Sequence, residues 1–214
     1  MTRAYAETYL SDAMKNLGYM FDFAVNDFGA DPEEFFSDFI VSGVAKAFES
    51  GTPKYVTGLS GPELASEVTY RTRCCRIDKL PAENTDKSPE FWAGWILAYY
   101  QWYSAKRFSD MQKNGLDMGR VLSLYPTMHE ADVSRFVAAA DHIIDEHTAK
   151  RMSNLQRIRK ANSMTQKELA EASGTALRMI QLYEQRRQDI TKAQAITISR
   201  IANVLGCRER DILE

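Results

Sequence analysis

Several places in this 214-residue chain gather side chains that can do chemistry. Cys74 and Cys75 stand among Arg71, Arg73 and Arg76. Neighbouring cations lower a thiol's pKa and favour the nucleophilic thiolate. No His or carboxylate is spaced to complete a nucleophile there. With Cys207 as the third cysteine, the chain has neither a paired framework nor a zinc spacing. "DHIIDEH" sets His142 four residues from Glu146 and Asp141 four from Asp145. Such pairs share a helix face and could hold a metal, but a distant partner is not evident, and a solvated acidic face is the simpler account. His129, isolated in "PTMHEAD", fits capping or packing better than catalysis. Trp92, Trp95, Tyr99, Trp102 and Tyr103 recur at helical spacing. Core packing explains them first, and an aromatic-lined ligand pocket second. No phosphate-cradling glycine loop and no paired-carboxylate signature appears. The pattern predicts no catalytic residue, no metal and no cofactor.

A different chemistry belongs to "MTQKELAEASGTALRMIQLYEQ", Met164 to Gln185. Thr165 and Glu168 form a T-x-x-E capping box, which satisfies orphan amides where a helix begins. The helix is predicted from Gln166 to about Ser173, with Leu169 and Ala170 facing inward. Gly174 supplies the left-handed turn that ends it. A second helix follows with Ile180 and Tyr183 buried. A small residue, a glycine four later and a branched apolar residue six beyond that is the pattern of a helix-turn-helix. The outward positions of its second helix are Leu177, Arg178, Gln181, Leu182 and Gln185.

The flanks extend the unit. "SNLQRIRKANS" predicts an amphipathic helix with Leu155 and Ile158 inward. "TKAQAITISRIANVLG" opens on a second T-x-x-Q box (Thr191, Gln194) and is predicted to bury Ala195, Ile198, Ile201, Ala202 and Leu205. "CRERDILE" adds a short last helix through Ile212 and Leu213. Five helices in this order, over about residues 152 to 213, resemble the lambda-repressor-like (Cro/C1-type, XRE) DNA-binding domain. In that family an arginine of the first helix pairs with a glutamate ending the recognition helix, and Arg159 and Glu184 stand at those places. The chain departs from the family at Ser173 and Thr175, where apolar residues are preferred, and at Ala176, where a polar cap is usual. Thr175 is the alternative cap. The loop "QRRQDI" is longer than the commonest form.

The outward residues suit base edges. Arg178 matches a guanine edge and Gln181 or Gln185 an adenine edge, each pairing worth about 1–3 kcal/mol of discrimination, while Leu177 or Leu182 can rest on thymine methyls. The resemblance implies phosphate contacts from Thr165, Gln166, Arg186, Arg187 and Lys192. A basic second domain adds a salt-sensitive attraction to duplex DNA.

Composition divides the chain near residue 150. The net charge of −2 is the balance of an acidic segment and a basic one. Residues 1–150 carry 15 basic and 22 acidic residues, and 151–214 carry 12 and 7. Of the 23 aromatic residues only Tyr183 lies in the second segment. Two regimes predict two domains, 1–150 and 151–214. The junction "HTAKRMS" lacks Pro and Gly, so a continuous helix can cross it. The first domain reads as helical throughout: "DPEEFFSDFIVSGVAKAF" with Asp31 as cap, "SPEFWAGWILAYYQWYS" with Ser88 as cap, and "EADVSRFVAAADHIIDEH" with Val133, Phe136, Val137, Ala140 and Ile144 on one face. Gly51–Glu63 and Ile77–Glu90 read as loops. Charged residues near the start (Arg3, Glu7, Asp12, Lys15) leave no visible signal peptide, and no apolar run reaches the roughly 18 residues of a membrane helix.

The expectation is therefore an all-α, two-domain, cytoplasmic transcriptional regulator and not an enzyme. Its C-terminal domain would read operator DNA as a homodimer. The acidic domain would repel DNA and serve as a protein-interaction or sensing module. Its helices resemble uncharacterised bacterial regulators associated with toxin-like neighbouring genes, which implies an antitoxin-like role with a toxin-like protein partner. Two alternatives compete: a catalytic helical domain carried by a DNA-targeting tail, and a protein-binding scaffold without DNA affinity.

Overall fold

The computed structural model describes residues 3–82, 87–150 and 152–213. Residues 83–86 of the loop expected at Ile77–Glu90, and Arg151 at the expected domain boundary, lie outside them. The chain forms two compact units, Met1–Asp145 and Glu146–Glu214. Among the described residues every regular element is helical, so the all-α expectation holds.

In the first unit, α1 (Leu10–Asp22) lies against α5 (Pro89–Ser104). The sequence starts α5 with Ser88, whose Oγ accepts from the Phe91 amide at 3.0 Å, and with Pro89 at the first helical position. Apolar residues nearly encircle α5, and it is buried on most sides. Two glycines permit the close approach. A Cβ on Gly94 would lie 2.4 Å from the Leu17 carbonyl oxygen, and one on Gly18 would lie 2.9 Å from Phe91. The same core takes in α2 (Pro32–Val41), α3 (Val44–Glu49), α4 (Gly61–Arg73), α6 (Phe108–Lys113), α7 (Met118–Met128) and the part of α8 (Val133–Lys150) up to Asp145, where this unit ends.

The core is aromatic. Phe21 meets Phe35, Phe36 and Phe39 edge-on at centroid distances of 5.6, 6.0 and 6.2 Å, and Phe39 meets Phe108 at 5.3 Å. Such edge-to-face pairs add about 0.5–1.5 kcal/mol each beyond area burial. The set at helical spacing on α5 packs as well: Trp92 and Trp102 are buried, and Trp95, Tyr99 and Tyr103 line the core's edge.

Three sequence readings need correction. The run 31–48 is two helices, because Ser42 ends α2 and Gly43, at φ 78°, starts α3 from a left-handed residue. The stretch Gly51–Glu63 is not all loop. It holds a π-helical turn, Lys54–Gly58, and the start of α4, which Ser60 and Glu63 close with a capping box. Asp141 does not stand on an open acidic face, since its Oδ1 accepts from Lys106 Nζ and from the Tyr100 hydroxyl, both at 2.6 Å. Burial raises the Asp141 carboxyl, but these bonds outweigh that and hold it below its usual range. His129 caps α7 and stacks on Tyr125 at 4.6 Å. Helix α8 buries Phe136, Val137, Ala140 and Ile144 as expected.

Candidate nucleic-acid interface

The second unit is built from α9 (Asn154–Ala161), α10 (Gln166–Ser173), α11 (Leu177–Glu184), α12 (Ala195–Leu205) and α13 (Glu209–Ile212). Its core is mainly aliphatic: Leu155, Leu169, Ile180, Ile201, Leu205 and Ile212, with Tyr183 buried among them. Ser153 caps α9 by accepting from the Gln156 amide at 3.1 Å. Two expectations at α12 fail. Thr191 does not cap it, because Asp189 Oδ1 accepts from both the Thr191 amide and hydroxyl, at 2.9 and 2.6 Å, and holds residues 190–192 in a 3₁₀ turn. The helix begins later, after Gln194, and Ala195 at its first position is exposed.

The two helices of the motif meet the sequence pattern closely. Thr165 Oγ1 accepts from the Glu168 amide at 3.1 Å, and Glu168 Oε2 accepts from the Thr165 amide at 2.7 Å. The bond from the Thr165 amide, then that from its hydroxyl, holds the Glu168 carboxyl below its ordinary range. Gly174, at φ 64°, ends α10. The next residue's amide then donates to the Ala170 carbonyl at 3.0 Å, so Thr175 closes the helix before it rather than capping the one after. Helix α11 starts from Ala176 with no side-chain cap.

What orients α11 is a buried charge pair. Arg159 Nε and Nη2 donate to Glu184 Oε1 and Oε2 at 2.6 and 3.0 Å, and both side chains are buried. Donating these bonds to Glu184 raises the Arg159 pKa. Arg159 also donates to the Met164 carbonyl, ahead of α10. Gln166 Nε2 completes the cluster with a 2.8 Å bond to Glu184 Oε2. One carboxylate thus joins α9, the start of α10 and the end of α11. A paired, fully hydrogen-bonded ion pair of this kind fixes geometry more than it adds stability.

The outward residues fall into two groups. Leu177, Arg178 and Gln185 are exposed, and Gln181 and Leu182 are half-buried. Among the cations, Arg187 and Lys192 are exposed, with Lys192 Nζ 3.8 Å from Asp189. Arg186 is half-buried, has φ 53° and donates to the Thr148 carbonyl. Thr165 is exposed and spends its hydroxyl on the cap, whereas Gln166 turns its amide inward to Glu184. Sequence reasoning did not single out Arg200. This exposed residue of α12 shares a cleft of about 380 Å³ with Lys192 and the Gly174–Ala176 turn. No spacing signal links positions 174 and 200; only the tertiary fold brings them together.

Residues 155–212 match the helix-turn-helix family. The C-terminal unit is therefore a lambda-repressor-like helix-turn-helix domain, the domain class of DNA-binding regulators. Comparisons of the chain with curated proteins and with solved structures give no match. Among the described residues, no group of three His, Cys, Asp or Glu side chains gathers to hold a metal, and no helix is long and apolar enough to cross a membrane.

Proposed function

We propose that the chain is a sequence-specific DNA-binding transcriptional regulator whose helix α11 enters the major groove of an operator. Arg178, Gln181 and Gln185 make the polar base contacts, and Leu177 and Leu182 the apolar ones. Arg186, Arg187 and Lys192 meet the phosphates, with Arg200 beside them, and the start of α10 at Thr165 and Gln166 turns its backbone to them, since both side chains are engaged. The observation that carries this reading is the Arg159–Glu184–Gln166 cluster. It anchors the last residue of α11 on the inside while Arg178 and Gln185 stay exposed on the outside. A helix held from behind at a fixed rotation presents the same side chains to every site it meets.

Eight residues of helix read few base pairs, so two copies act on a two-fold site. The acidic N-terminal unit is unsuited to phosphate contact and serves as a sensing or partner-binding module. An antitoxin-like pairing with a toxin-like protein is the partner version of that role. Fluorescence anisotropy with duplexes from the protein's own promoter region tests the proposal. The promoter duplex should bind at least about 10³-fold tighter than scrambled DNA. Arg186, Arg187 and Lys192 on the phosphates give a log–log salt slope of about −2.7 per protomer, without counting Arg200. Equal affinity for both duplexes, with no salt dependence, would refute it. Co-purification with the neighbouring gene product, against a ligand-induced melting shift, separates the partner from the sensing version.

A further inference from the structure

The N-terminal unit contains a cleft of about 600 Å³, the size of a small-molecule site. Its charge is the reverse of the segment that holds it. Arg3, Lys46, Lys106 and Arg107 line it against one carboxylate, Glu49, although residues 1–150 carry seven more acidic than basic groups. Glu49 is already engaged, because its Oε1 accepts from the Phe108 amide at 2.6 Å. Lys106 is balanced by Asp141. Arg3 is held in place: its guanidinium lies 4.0 and 4.7 Å from the Tyr103 and Trp102 ring centres, and Nη1 donates to the Tyr103 carbonyl at 2.9 Å. Lys46 and Arg107 are exposed. A concave site whose lining is net positive concentrates anions.

Gln101 makes the cleft more than a basic patch. It lines the cleft, it is 1% exposed, and its Oε1 has no hydrogen-bond partner. Buried amide oxygens are nearly always satisfied, and one that is not calls for a donor.

We propose that this cleft binds a small organic anion, a carboxylate or phosphate that also carries a hydroxyl or amine. Arg3, Lys46 and Arg107 take the anionic group, and Gln101 Oε1 accepts from the hydroxyl or amine. An anion without a donor, such as sulfate, leaves Gln101 unmatched, and a neutral polar molecule leaves the cations unmatched. The site lies wholly within Met1–Asp145 and does not depend on DNA binding.

Isothermal titration calorimetry on the full chain without DNA tests this, with citrate, glucose 6-phosphate and sulfate, which has no donor, as probes. Citrate or glucose 6-phosphate should bind one per chain, at least about tenfold tighter than sulfate. The surface double variant Lys46→Ala/Arg107→Ala should weaken that binding by about tenfold or more. Gln101→Met, similar in size but without the acceptor, should erase the preference over sulfate. Arg187→Ala, in the other unit, should change nothing. The proposal is overturned if neither organic anion outbinds sulfate, if the double variant binds as well as the parent, or if Arg187→Ala alone abolishes binding. Should Gln101→Met not fold, the surface double variant decides.

Discussion

The two units reach an all-helical fold by different means. The N-terminal unit packs Phe, Tyr and Trp edge to face around two helices that touch through Gly18 and Gly94. The C-terminal unit has a small aliphatic core and relies on one buried ion pair to set its helices. The first arrangement is governed by volume, and the second by charge and hydrogen bonding. The first should therefore break when atoms are added, the second when a partner is removed.

The tryptophans allow the two failures to be watched separately, since all three lie in the first segment. Glu184→Ala should have the largest effect. It strands Arg159 in a buried site and costs about 3–5 kcal/mol. Urea unfolding should show an early loss of helical circular dichroism with the tryptophan transition unmoved; coincident shifts by both probes would end the comparison. Gly94→Val forces a side chain against the Leu17 carbonyl and should cost about 1–3 kcal/mol, now seen in the tryptophan transition. Within the proposed interface, Arg178→Ala should lose about 1–3 kcal/mol of discrimination at one base pair. Arg187→Ala should weaken all sequences alike and lower the salt slope by about 1. A uniform loss for Arg178→Ala would remove its assigned role.

The remaining effects are gains or small losses. Ala176→Ser supplies the cap that α11 lacks and should stabilise the C-terminal unit by about 1 kcal/mol in thermal unfolding. No gain would mean that the turn already satisfies those amides. The smallest effect is acidic. The Asp141 carboxyl is held below its ordinary value of 3.8, so its contribution is present above that pH and fades as pH falls through the lowered value. Asp141→Asn should remove that part of the acid sensitivity below pH 3.8, and an unchanged acid profile would argue against it.

Legibility in the sequence followed the range of the interactions involved. Thr165–Glu168, Asp31, Ser88 and Gly174 act within a few residues, and each serves where the local pattern put it. Local patterns misled where two short-range options competed. Thr191 could have capped α12, but Asp189 claims it. Thr175 could have capped α11, but its amide closes α10. Gly43 divides a run whose hydrophobic spacing continues across it. The Arg159–Glu184 pair was legible only through a family resemblance, because its partners are 25 residues apart. Gln166 turning inward, Arg186 meeting Thr148, and Arg200 beside the turn were beyond reach, since each depends on how distant helices dock.

The Glu184 cluster also limits how this protein can change. If α11 rolled about its own axis to offer new side chains, it would tear a carboxylate away from both Arg159 and Gln166. On the proposed reading, new binding preferences arise by exchanging residues at 178, 181 and 185 on an unmoving rod, while a change at 159 or 184 breaks the cluster that holds it.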